Sequence, residues 1–151
     1  MTTHELLTLL RDALAADETL ERWCVEQFGK SPTVYLGIDE ENPPPEEDYP
    51  VVAIVGADHL RGEAERETGW PVFIGVAVVN KAIEADGKKR TYVGLLQAEA
   101  LREHAENAIY RARIAGVGSS GNASQESFYP LFVSYSTVTV KELRSTRRAM
   151  P

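Results

Sequence analysis

Six of the ten residues from Asp39 to Asp48 are carboxylates with no cation among them, so this stretch carries −6 of a formal net charge of −7. Asp39, Glu40, Glu41, Glu46, Glu47 and Asp48 are the hard oxygen donors that Mg²⁺ or Ca²⁺ would take. Pro43, Pro44 and Pro45 stand between the two acidic halves and hold them apart on an extended polyproline path, which works against a tight chelating loop. A solvated or partner-facing loop is therefore favoured over a cation site. No catalytic, cofactor or metal residue is assigned, and no cofactor is expected.

The other chemistry-bearing types are sparse. Gly116, Gly118 and Gly121 reproduce the dinucleotide fingerprint as a string. That fingerprint needs a strand before it and a helix after it, so that the helix N-terminus meets the pyrophosphate, and here the expected order is the reverse. The run reads instead as a flexible loop over 116–124. His4, His59 and His104 lack the spacing that puts two ligands on one metal. His104, beside Glu103 and five residues after Glu99, reads as part of a solvated charged helix face rather than an acid/base pair. Cys24 lies in an apolar helical pattern and reads as a small buried hydrophobe. No Gly-x-Ser-x-Gly elbow is present.

The elements that must position these groups follow from periodicity. Thr2 and Glu5 can form a capping box before a helix from about Thr3 to Ala16, with Leu6, Leu7, Leu10, Ala13 and Leu14 on one side. Asp17 caps a second helix that Gly29 and Pro32 end. Thr33 to Ile38 forms a short strand. The run Val51 to Val55 is apolar at every position, so both of its faces should be covered. Ala57 to Thr68 is polar and exposed. Trp70 to Ile83 reads as the longest strand, turned back by Ala85-Asp86-Gly87 into Arg90 to Leu95 as a hairpin. Leu96 to Ala115 is an amphipathic helix whose inner face is Leu101, Ala105, Ala108, Ile109 and Ala112, with Glu99, Arg102, Glu103 and Glu106 elsewhere.

The last strand, Phe128 to about Val140, places apolar residues at odd positions 131, 133 and 135 and then at even positions 138 and 140. Such a switch needs a cause: a bulge near Ser136 and Thr137, or presentation of the far half of the strand to a second surface, and the bulge is the favoured of the two.

The whole is a single α+β domain over 1–151: a mixed, mostly antiparallel sheet of about five strands, a helical N-terminus over 1–29, one long helix, and a basic flexible tail over 141–151. At 151 residues the chain can bury a core without staples. No stretch is long and apolar enough to span a bilayer, and no leader is evident, so an intracellular soluble protein is expected. The acidic balance argues against direct nucleic-acid binding.

The Leu-rich first helix, the Asp48-Tyr49-Pro50 lead into Val51 to Val55, and the order of elements resemble the tail terminator and tail completion proteins of long-tailed bacteriophages and prophages. The resemblance implies a structural, non-enzymatic subunit that forms a homo-oligomeric ring, usually a hexamer. The ring ends polymerisation of the tail tube protein and offers a docking face to the head–tail connector protein. The implied location is the host cytoplasm during assembly and then the virion. Lys141, Arg144, Arg147 and Arg148, opposed only by Glu142, could meet the acidic loop of a neighbouring copy, although two unrelated solvated segments would read the same way. The alternatives are a monomeric binding or adaptor domain, or a small divalent-cation-dependent enzyme built on the acidic loop.

Overall fold

Leucines at positions 6, 10 and 14 and alternate residues of three strands close on one another to form a single core. The computed structural model describes residues 1–61, 69–114 and 116–141, and over 116–121 the backbone alone. The chain order is α1 (Thr3–Ala16), α2 (Glu18–Phe28), β1 (Thr33–Leu36), a 3₁₀ turn at Glu46–Asp48, β2 (Val51–Ala57), β3 (Gly69–Val79), β4 (Ile83–Asp86), β5 (Lys89–Tyr92), α3 (Val93–Ala112), β6 (Gly116–Phe128) and β7 (Leu131–Lys141). This is an α+β domain.

The helix boundaries follow their local signals. Thr2 Oγ1 accepts from the Glu5 amide at 3.1 Å, and Asp17 Oδ2 accepts from the Leu20 amide at 2.9 Å. Gly29 closes α2 in the left-handed region at φ 77°, which glycine adopts without a steric cost.

Five strands form one sheet in the order β1-β2-β3-β7-β6, while β4 and β5 make a separate two-stranded hairpin. Only β1 and β2 run parallel, pairing Thr33 with Val51 and Leu36 with Ile54. The other three contacts are antiparallel. The expected hairpin partner of β3 is thus wrong. β3 stops at Val79 and pairs along its length with β7. Asn80 ends it: its side chain accepts from the Ala82 amide at 2.8 Å and donates to Gln97 at 2.7 Å.

The long helix starts at Val93 rather than Leu96, because Gly94 lets its first turn press onto Phe132. A Cβ on Gly94 would lie 2.4 Å from that ring. The stretch 116–124, expected as a loop, lies within the edge strand β6, the longest at 13 residues. Pairing with β7 supplies the backbone partners, which outweighs the poor strand propensity of its glycines and serines. Two register shifts interrupt that pairing, between Val117 and Ser120 and between Ser120 and Ala123. The bulge expected in the last strand near Ser136 and Thr137 is not found there: the extra residues lie in β6. On its β3 side, β7 pairs without interruption from Leu131 to Lys141.

Positions 132, 134, 136, 138 and 140 of β7 are all buried, so its parity never switches. Ser134 and Ser136 occupy inward positions that hydropathy assigned to solvent. The odd-numbered Leu131, Val133 and Tyr135 belong to the opposite face of the sheet, and it is the near half of the strand, not the far half, that presents apolar residues there.

Candidate functional site

Residues of all three helices join the even-numbered face of β3 and β7 in one buried cluster. Among the described residues, none from a helix lines the groove on the other face. There, Val51, Ala53 and Val55 of β2, Phe73, Gly75 and Ala77 of β3, and Leu131, Val133, Tyr135 and Thr137 of β7 line a groove of about 690 Å³. The register places Ala53 and Tyr135 on either side of Gly75, and Val51 and Val133 on either side of Ala77. Small residues thus form the floor. A Cβ on Gly75 would stand 3.5 Å from the Tyr135 ring and 3.6 Å from Val55.

One wall is the acidic proline loop: Ile38, Asp39, Glu40, Pro43, Pro44 and Tyr49 line the groove. Val51 and Ala53, which point to this side, are 1% exposed. The apolar run of β2 is thereby accounted for from Val51 to Ile54, with helices under one face and this walled groove over the other, whereas Val55 is exposed. The opposite wall is the described end of β6, with Ser124, Glu126 and Phe128.

The structure divides the acidic cluster. Asp39 and Glu40 reach the groove, and Asp39 is held by the Asn42 side chain at 2.9 Å and the Glu41 amide at 3.0 Å. Those two donors keep its carboxyl below the usual range. Glu46, Glu47 and Asp48 sit on the 3₁₀ turn, where Asp48 accepts from the Tyr35 hydroxyl and the Glu47 carbonyl accepts from Lys30. Tyr35 is pushed up chiefly by that hydrogen bond to Asp48. Glu41 is exposed to solvent. Among the described residues, no ion pair involves a carboxylate of this loop, and no group of three or more His, Cys, Asp or Glu could hold a metal ion.

On the far side of the groove, Tyr135 directs its hydroxyl to Glu126 at 3.4 Å. Burial and that carboxylate raise its pKa. Lys141 ends β7 and is exposed. Arg144, Arg147 and Arg148 lie outside the described residues, as does most of the polar stretch expected between Ala57 and Thr68.

A second polar constellation escaped the sequence reading. Arg102 and Glu106, expected on the solvated side of the long helix, are 7% and 8% exposed. Arg102 donates to Ser134 at 2.9 Å, to Glu106 at 2.7 Å, and to Glu99. Glu99 also accepts from Gln125 at 2.6 Å and Ser134 at 3.1 Å. Burial opposes the charge on Glu99, but these donors hold its pKa below the ordinary value. Each charge is compensated, so the network ties α3 to β7 and β6 and leaves no group for a substrate. Its signal was the spacing 99, 102, 106, one stripe of a helix facing two serines that fit the inward parity of the last strand.

The remaining candidates resolve simply. Cys24 is fully buried, and burial pushes its thiol up to about 12. His104 stacks on Trp23 with ring centres 4.5 Å apart, which corrects the solvated-face reading. His59 stacks on Trp70 at 4.6 Å. The Gly116-to-Gly121 run follows a helix and lies in a strand, the wrong context for a pyrophosphate. Among the described residues no helix is long and apolar enough to cross a membrane.

Beyond the groove, at the end of the sheet marked by Phe128 and Leu131, large side chains stand in the open. Phe128 is 60% exposed and Tyr129 is 50% exposed. Tyr92 and Tyr129 meet edge to face at 5.5 Å.

Compared with known proteins, the sequence matches no family model, and no curated protein matches it.

Proposed function

We propose that this chain is a structural subunit rather than an enzyme. It forms a homo-oligomeric ring, a hexamer in the expected case, that ends a phage tail tube and offers a docking face to the head–tail connector. The observation that carries the reading is the unequal treatment of the two sheet faces. All three helices serve one face, while the other holds an acid-rimmed apolar groove of about 690 Å³ that leads to exposed aromatic side chains. Apolar surface left together in this way is the ordinary mark of a macromolecular contact. A ring needs two different patches that meet on adjacent copies, and the groove supplies one. The tail-specific part of the proposal rests on the resemblance in element order and in the Asp48-Tyr49-Pro50 lead into β2.

Negative-stain electron microscopy and light scattering on the purified protein test this. The expected result is closed rings with a mass that is a multiple of 16.7 kDa, roughly 100 kDa for a hexamer. A stable monomer at high concentration, both alone and mixed with a tail tube protein, would reject it. The volume of the groove also falls in the range of small-ligand sites, which favours a monomeric binding domain as the second reading. The divalent-cation enzyme is the third. A rise in thermal midpoint on adding Mg²⁺ or Ca²⁺ would bring it forward, since a ligand that binds the native state alone must stabilise it.

A further inference from the structure

We infer that the groove receives the basic segment 142–151 of a neighbouring copy. This deepens the ring reading and rests on it. The segment reads Glu-Leu-Arg-Ser-Thr-Arg-Arg-Ala-Met-Pro, so three arginines stand between the apolar Leu143 and Met150. The groove has the complementary layout: Asp39, Glu40 and Glu126 on its rim and Gly75, Ala77 and Ala53 on its floor. Carboxylates that accept from no cation among the described residues are ready partners for guanidinium groups, which bind them in fixed two-point geometry.

Lengths agree as well. The groove follows β7 from Leu131 to Thr137, about 20 Å at the rise of a strand, enough for the extended stretch Leu143 to Arg148. The direction of β7 selects the neighbour. Lys141 pairs with Gly69 and Gly116 at the end of the sheet remote from Leu131, so a chain that continues along the strand moves away from its own groove. A tail from each copy in the groove of the next is a heterologous contact, and such contacts close rings.

Site-directed cross-linking between full-length chains tests this. Val55→Cys, at a groove-lining position 39% exposed, goes on one chain, and Ser145→Cys goes on a second, differently tagged chain made in the same cell. Cys24 is fully buried and does not compete. A short bismaleimide should join the two chains to each other. Asp39→Lys with Glu40→Lys on the groove-bearing chain should lower the yield roughly tenfold, since two exposed charge pairs together amount to about one decade of affinity. Thr137→Cys replaces Val55→Cys as a second pair, which guards against a folding defect.

No joined pair with either groove cysteine, or a cross-link that forms only within a chain carrying both cysteines, overturns the inference. So does a yield indifferent to the rim reversal. Micrographs of the unsubstituted protein separate the two claims: rings without cross-linked pairs reject the docking and leave the ring, whereas cross-linked pairs without rings keep the docking and reject the closed assembly.

Discussion

Trp23 decides what His104 can do. The indole stacks on the imidazole, and partial burial, helped by the nearby Arg111 guanidinium, lowers its pKa from the ordinary 6.5, while Glu103 and Asp17 pull the other way. A histidine whose folded pKa is depressed stabilises the neutral form in the native state. That stability is complete above the unfolded pKa and is lost as pH falls through the folded one. Thermal unfolding should therefore show a midpoint that drops as pH falls below the ordinary 6.5, and His104→Gln should flatten the drop. Asp17, lowered chiefly by its bond to Arg111, acts in a more acidic window, where its stabilisation disappears below the usual carboxylate range. An unchanged slope in the variant would count against the stacked, desolvated imidazole. Sequence placed His104 on a helix correctly, but the ring it meets lies 81 positions away, beyond the reach of any local pattern.

At the scale of elements, α3 carries two features that hydropathy hides. Gly94 sits where a side chain would collide with Phe132, a ring only 2% exposed and held in the core. Gly94→Ala should cost about 1–3 kcal/mol, the usual penalty of overpacking, read as a lower urea midpoint at constant slope. About two turns further on, the outward stripe of the helix turns inward, because Arg102 needs Glu99, Glu106 and Ser134 at once. Removing the cation alone strands the buried Glu106 carboxylate, so Arg102→Met should destabilise by about 3 kcal/mol. Arg102→Met combined with Glu106→Leu should lose less than the sum of the two single changes, and strict additivity would break this account. The capped ends of α1 and α2 were readable because a cap lies within three or four residues of the amide it satisfies. β6 was unreadable for the opposite reason: its glycines and serines say loop, and only β7 beside it makes a strand.

For the molecule as a whole, the decisive feature is a sheet with one face closed by helices and the other left to the acidic loop and the groove. Charges at such a rim steer encounter and register more than they add affinity. If rings form, raising salt should slow their assembly, followed by light scattering after dilution from denaturant, more than it lowers the final mass. A final mass that collapses while the rate is unaffected would contradict the steering role of Asp39 and Glu40. The loop's own stiffness matters here. Pro43 and Pro44 line the groove between the two acidic halves, which face different surroundings.

The sequence by itself determined the helix boundaries at Thr2, Asp17 and Gly29, the leucine face of α1, the burial of Cys24, and the concentration of charge between Asp39 and Asp48. Each is a local matter of capping, spacing or composition. Only the tertiary structure decided that β3 pairs with β7 and not with the hairpin, that Arg102 is buried, and that the odd-numbered residues of β7 line a groove. Those outcomes depend on which strands become neighbours. A period-two pattern names two faces, but which of them the helices cover is settled by contacts between residues far apart in the chain.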